Sequence, residues 1–159
     1  MTLHTIAPVW DENSKVLILG SFPSVKSREE GFFYGHKQNR FWRVLASVCD
    51  CPVPQNIDEK KSMLLANGIA VWDVIHSCDI VGSSDSSIKN VVPNDIADIV
   101  QKSHIQRIFT NGKKADELYK KYIEQTVGMS AECLPSTSPA NAVWTLEKLC
   151  EEWKKRLLN

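Results

Sequence analysis

The feature that most limits the fold of this chain is an alternation of short apolar runs with longer amphipathic ones. Lys15 to Leu19 (Lys-Val-Leu-Ile-Leu) is almost wholly apolar and closes on Gly20, the pattern of a strand covered on both faces. Asn39 to Cys49 follows with Phe41, Leu45 and Val48 spaced along one helical face. Ile57 to Ala66 reads as a second helix, stopped by Asn67-Gly68, and Ile69 to Trp72 as a second buried strand. Helices are expected over Asp95 to Lys102 and Lys113 to Gln125, and strands over Arg107 to Thr110 and Ala131 to Pro135. The last helix is expected from about Pro139 to Leu157, with Val143, Leu146, Leu149, Cys150, Trp153 and Leu157 as its buried stripe.

Strands alternating with helices of this length predict an α/β fold with a mainly parallel sheet and helices on both faces. Right-handed crossovers then bring the loops after each strand to one sheet edge, where ligands bind in such folds. Four segments therefore matter most for function: Gly20 to Asn39, Asp73 to Asn90, Asn111 to Lys114, and Ser136 to Asn141. The Ser/Asp-rich piece Gly82 to Ser87 reads as a mobile loop.

The 159 residues correspond to one domain, residues 1–159. Lys plus Arg and Asp plus Glu total 19 each, which excludes a binder that works by blanket phosphate neutralisation but leaves room for a local basic patch. No stretch is long and apolar enough to span a membrane, and the first residues lack a basic segment leading into an apolar one, so a cytoplasmic location is expected. The five cysteines are odd in number, scattered and without Cys-x-x-Cys, which fits reduced, packed thiols and no metal site.

The loop Gly20-Ser21-Phe22-Pro23-Ser24 matches neither a phosphate loop nor a dinucleotide loop. The stretch from Gly31 to Trp42 is denser: Phe32, Phe33, Tyr34, His36, Lys37, Asn39, Arg40 and Phe41 suit a flat polar heterocycle joined to an anion. Asn39 is open to a second reading as a helix cap, and Phe41 and Trp42 to a reading as core. Lys113 and Lys114 in a helix's first turn oppose its dipole, which a nearby phosphate would offset. Ser136-Thr137-Ser138-Pro139-Ala140-Asn141 offers hydroxyls to a nucleic-acid backbone, with Ser138 alternatively capping the helix that Pro139 opens. No serine-nucleophile motif and no paired carboxylates stand in these loops, so a hydrolase here needs a leaving group that departs with little help.

Gly20-Ser21-Phe22-Pro23, Gly31 to Trp42 and Leu134 to Asn141 resemble the uracil-DNA glycosylase superfamily, most of all its hypoxanthine-DNA glycosylase branch. The stretch from Phe32 to Trp42 is also similar to the loop and helix after motif 1 of the mismatch-specific uracil glycosylases, with Asn39-Arg40-Phe41-Trp42 its most specific part. The resemblance implies a three-layer α/β/α sandwich with a four-stranded sheet and cofactor-free hydrolysis of the N-glycosidic bond of a deaminated base in DNA, hypoxanthine first, then uracil or xanthine. It implies Asn39 as catalytic residue, and Ser21, Phe22, Tyr34, His36, Asp73 and Asn111 around the base, with Tyr34 stacking on it. Pro23, Lys113, Ser136, Ser138 and Asn141 would lie along the DNA backbone. Two departures stand out: Phe22 replaces a polar residue that positions water in many relatives, and Ala140 replaces a larger duplex-wedging side chain. A glycosylase-like module that binds without catalysis, and a hydrolase of free nucleosides, are the competing expectations. A monomer is the default state.

Overall fold

The computed structural model describes residues 1–158. In chain order the elements are β1 (Thr2–Leu3), β2 (Val16–Gly20), α1 (Val25–Glu30), α2 (Phe41–Val48), α3 (Ile57–Ala66), β3 (Ile69–Asp73), β4 (Ile75–Asp79), β5 (Lys89–Pro93), α4 (Ile96–Gln101), β6 (Arg107–Asn111), α5 (Lys113–Tyr122), α6 (Glu124–Val127), β7 (Ala131–Leu134) and α7 (Leu146–Leu157). Strands β3, β2, β6 and β7 pair in that order, all parallel, as one four-stranded sheet. The strand period of two sorts its side chains between two cores. Ile18, Val71 and Phe109 face one side, against Phe41 and Leu45 of α2, Leu64 of α3 and Leu149 and Trp153 of α7. Leu17, Leu19, Ala70 and Ile108 face the other, against Ile96 and Ile99 of α4 and Leu118 and Tyr119 of α5. The result is the expected α/β/α sandwich.

Three expectations need correction. The segment from Asp73 to Asn90 is not one loop. It carries β4, which starts one residue after β3, and the beginning of β5, and with β1 these make a second, antiparallel sheet in the order β1-β4-β5. Asn94 pins this corner, its buried amide donating to the carbonyls of Asp73 (2.9 Å) and Ile75 (3.1 Å). The apolar residues here occur in pairs at most (Val74-Ile75, Ile80-Val81, Val91-Val92), too short a run to read as a strand without its partners. Second, α1 lies inside the stretch taken as a loop after Gly20; Ser24 caps it and Gly31 ends it in the left-handed conformation.

Third, the last helix begins at Leu146, capped by Thr145, so Ser138 is not its cap and Val143 is not in its buried stripe, being 84% exposed. The reason lies in Arg40. Its guanidinium donates to the carbonyls of Thr137 (3.4 Å), Ser138 (2.8 Å), Asn141 (3.1 Å) and Trp144. Carbonyls 138 and 141 are among those that a helix opening at Pro139 would need for its own i→i−4 bonds.

Candidate active site

The parallel register sets Gly20 beside Asp73 and Asn111 beside Leu134, so the carboxyl ends of β2, β3, β6 and β7 open on one edge. Two adjoining hollows lie there. One, of about 410 Å³, is lined by Ser21, Phe22, Pro23, Tyr34, His36, Asn39, Asp73, Asn111, Ser136 and Ser138, so most of the residues singled out in the sequence share it. The other, of about 640 Å³, runs alongside and takes Lys113 and Asn141 together with Lys114, Trp144 and Arg156. Asp85, from the segment expected to be a mobile loop, lines both and accepts a hydrogen bond from Ser21 Oγ (3.2 Å). Burial pushes its carboxyl up from the ordinary value, against the pull of Ser21 and Lys114.

Asn39 sits just before α2, and its orientation follows from chemistry. Oδ1 accepts from the Phe41 backbone N–H at 2.9 Å, and that group can only donate, so the oxygen must face the helix. The same oxygen accepts from Thr137 Oγ1 at 2.9 Å, and Thr137 Oγ1 accepts in turn from Asn111 Nδ2 at 3.0 Å. Asn111 Oδ1 closes the loop by accepting the Thr137 backbone N–H at 3.1 Å. Nδ2 of Asn39 has no partner among the described residues and is presented as a donor. The cap position of α2 falls on Arg40, not on Asn39, but the Asn39 oxygen accepts the first helical N–H, so one end of the amide is held at the helix start and this fixes the other. Thr137, fully buried between two asparagines, is a site residue the sequence reading left out. Its signal was only its place between two serines.

Tyr34 stands in the left-handed region with φ of 52°, costly for a residue with a bulky side chain and common at functional sites. One face of its ring is stacked on Phe41, with centroids 3.8 Å apart. Its hydroxyl is buried without a hydrogen bond in the chain. Burial first, and the Asp73 carboxylate second, raise its pKa well above the usual phenol range, only partly opposed by the Asn111 amide, so it is held as O–H. Asp73 and the Tyr34 hydroxyl both crowd over the Cα of Gly20: a methyl group added there would overlap Asp73 Oδ1 and come within 3.0 Å of the hydroxyl. Gly20→Ala is therefore expected to displace Asp73, lowering stability by about 1–2 kcal/mol and any activity of the site with it. Thermal unfolding and activity measured side by side check this.

The residues lining the smaller hollow bring together Asn39, whose Nδ2 is unused, Phe22, whose backbone N–H has no partner among the described residues, Tyr34, whose hydroxyl is buried and unpaired, and one buried carboxylate, Asp73. Phe22 itself is packed in, with the Arg28 guanidinium 5.6 Å from its ring centroid, and has no group with which to hold a water. Among the described residues no three His, Cys, Asp or Glu side chains gather as metal ligands.

Residues 7–159 match the sequence pattern of the Uracil DNA glycosylase superfamily. The chain belongs to that superfamily. It is thus a DNA glycosylase, a hydrolase whose substrate is DNA. Two curated relatives are named hypoxanthine DNA glycosylase: one from Methanosarcina acetivorans is 36% identical over 135 residues, 84% of each chain. The other, from Methanosarcina barkeri, is 33% identical over 136 residues, 84% of this chain and 85% of its own. The fold also matches a solution NMR structure from Methanosarcina acetivorans provisionally described as a uracil DNA glycosylase, with a TM-score of 0.81 and 32% identity over 94% of this chain and 92% of that one. Within the glycosylase frame, no helix of the described residues is long and apolar enough to cross a membrane.

Proposed function

We propose that the smaller hollow receives a nucleobase turned out of DNA, and that the protein is a monofunctional, cofactor-free glycosylase releasing hypoxanthine, with uracil and xanthine as further substrates, in base excision repair. One observation carries this: residues with unused uncharged donors and a single buried carboxylate line one space of about 410 Å³, of the size that takes small ligands. The names of the two Methanosarcina relatives support hypoxanthine as the first base to test.

Breaking the glycosidic bond builds positive charge on the sugar and negative charge on the departing base. Donors already in place where that negative charge grows lower the barrier without reorganising. In this reading Asn39 Nδ2 and the Phe22 backbone N–H serve the leaving base, while Tyr34 packs against it with the ring face that Phe41 leaves free. Ser136, Ser138 and Asn141, with Pro23 and Lys113, follow the DNA backbone, and His36 stands at the mouth of the hollow. The enzyme acts as a single-domain monomer. Incubation with oligonucleotides carrying one lesion, followed by alkaline cleavage at abasic sites, tests it. Strand scission at hypoxanthine is expected; none at hypoxanthine, uracil or xanthine, in single or double strands, overturns the reading.

Phe22 favours a second reading, a module that binds lesion DNA without catalysis, because it cannot position water. Normal lesion binding with no abasic product selects that one. A separate prediction concerns Tyr34→Phe. Removing a buried hydroxyl that has no partner in the chain is expected to raise unfolding stability by up to about 1 kcal/mol, since an unsatisfied buried group carries a desolvation penalty. The same change should lower excision several-fold. Opposite signs in melting and activity assays mark a group kept for its ligand.

A further inference from the structure

We propose that His4 is a positioning residue of the base-reading site: it fixes the Asp73 carboxylate so that Oδ1 stands as an acceptor for the N–H on the pairing edge of a deaminated base. This rests on the hollow being a nucleobase pocket.

His4 follows β1, and its backbone N–H donates to the His76 carbonyl at 2.7 Å, continuing the pairing of β1 with β4. That pairing carries the imidazole behind the hollow, where it is buried among Phe22, Phe33 and Trp72, with ring centroids 6.0, 6.1 and 6.5 Å away. The tautomer is decided by its neighbours. The Ile6 backbone N–H points at Nδ1 (3.3 Å) and can only donate, so Nδ1 accepts and Nε2 carries the proton. Nε2–H then donates to Asp73 Oδ2 at 2.8 Å. With Oδ2 occupied and the Asp73 carbonyl held by Asn94, the carboxylate has one orientation. The other oxygen, Oδ1, lies over Gly20 beside the Tyr34 hydroxyl, and all three residues line the hollow.

A fixed acceptor at that place sorts bases by chemistry. Deamination of adenine to hypoxanthine turns ring N1 from a lone pair into an N–H, and deamination of cytosine to uracil does the same at N3. A carboxylate oxygen accepts from either product and meets a repelling lone pair on either parent base. An asparagine here could turn its N–H₂ to the parent base; a carboxylate held by a histidine N–H cannot. Asp73 in this arrangement tells a deaminated base from its parent, and the uncharged donors serve its departure.

The experiment uses the full-length chain on hypoxanthine oligonucleotides in single-turnover kinetics. His4→Phe keeps a ring among the three aromatics and removes the N–H; His4→Gln keeps a side-chain N–H. His4→Phe is expected to lower kcat/KM at least about tenfold, His4→Gln to recover most of it, and His4→Phe combined with Asp73→Asn to be no worse than Asp73→Asn alone. If His4→Phe does not yield folded protein, His4→Met takes its place as the donor-free variant. Wild-type kcat/KM in the donor-free variant, equal impairment of it and His4→Gln at matched folded fraction, or losses that multiply with Asp73→Asn would each overturn the inference. Absence of release by the unmodified protein from any of the three lesions overturns the nucleobase reading and this inference together, whereas normal release with an unimpaired donor-free variant overturns the inference alone.

Discussion

Asn39→Ala is expected to lower the single-turnover rate of base release by roughly a hundredfold, in line with the loss of one preorganised donor at a developing negative charge. The expectation follows from which end of the amide is already in use. Oδ1 holds the Phe41 N–H and the Thr137 hydroxyl, so what faces the substrate is Nδ2, and its removal strips a donor rather than a base. The same substitution leaves the Phe41 N–H at the start of α2 and Thr137 Oγ1 without their acceptor, so a stability loss of about 1 kcal/mol should accompany it. Because both effects come from one side chain, the alanine variant alone cannot separate them.

Asn39→Asp does separate them. An aspartate keeps an oxygen for Phe41 and Thr137, and its charge sits favourably at the start of a helix, so unfolding should be unchanged or slightly shifted to higher temperature. In place of Nδ2 it presents a second acceptor to a base acquiring negative charge, and the rate should fall at least as far as in the alanine variant. Differential scanning calorimetry and single-turnover excision on the same samples check this. An aspartate variant that releases base at the wild-type rate would show that Asn39 acts on the attacking water or only on the helix.

How much of this was legible in the sequence depended on whether a side chain's role is set locally. The apolar runs of β2, β3 and β6 announce themselves, because their central residues are buried on both faces and need no partner to be recognised, whereas β7, at the sheet edge, buries only Leu134 fully. Ile57–Ala66 was legible to the residue, since Asn56 caps it and Asn67-Gly68 ends it. The carboxyl-end loops then had to converge, which is why Tyr34, Asn39, Asp73 and Asn111 fall in one hollow. The antiparallel sheet was not legible: β1 is two residues long and exists only by pairing with β4. His4 was lost with it, as a lone histidine whose partner lies 69 positions away. The same holds for Thr137, which joins Asn39 and Asn111 across 98 and 26 positions, and for Asp85, read as part of a loop.

Arg40 is the remaining long-range organiser, and Arg40→Ala is expected to cost about 3 kcal/mol of stability, since a hydrogen bond to a charged donor contributes about 1.5–3 kcal/mol and the carbonyls are partly free to rehydrate. The guanidinium spans Thr137, Ser138, Asn141 and Trp144, so a single side chain beside Asn39 shapes the stretch between β7 and α7. Loss of that clamp should weaken binding to lesion DNA at least tenfold, because Ser138 and Asn141 lose their placement, while Asn39 keeps its bonds to Phe41 and Thr137. Arg40→Lys should recover less than half of either loss, as one ammonium cannot reproduce a planar fork reaching several carbonyls. A third readout ties the effect to its cause: with the carbonyls released, the helix-start signal of Ser138 and Pro139 is free to act, and amide chemical shifts over 140–145 should move toward helical values. Unchanged melting, affinity and shifts in Arg40→Ala would mean that the backbone of 137–144 holds its course unaided.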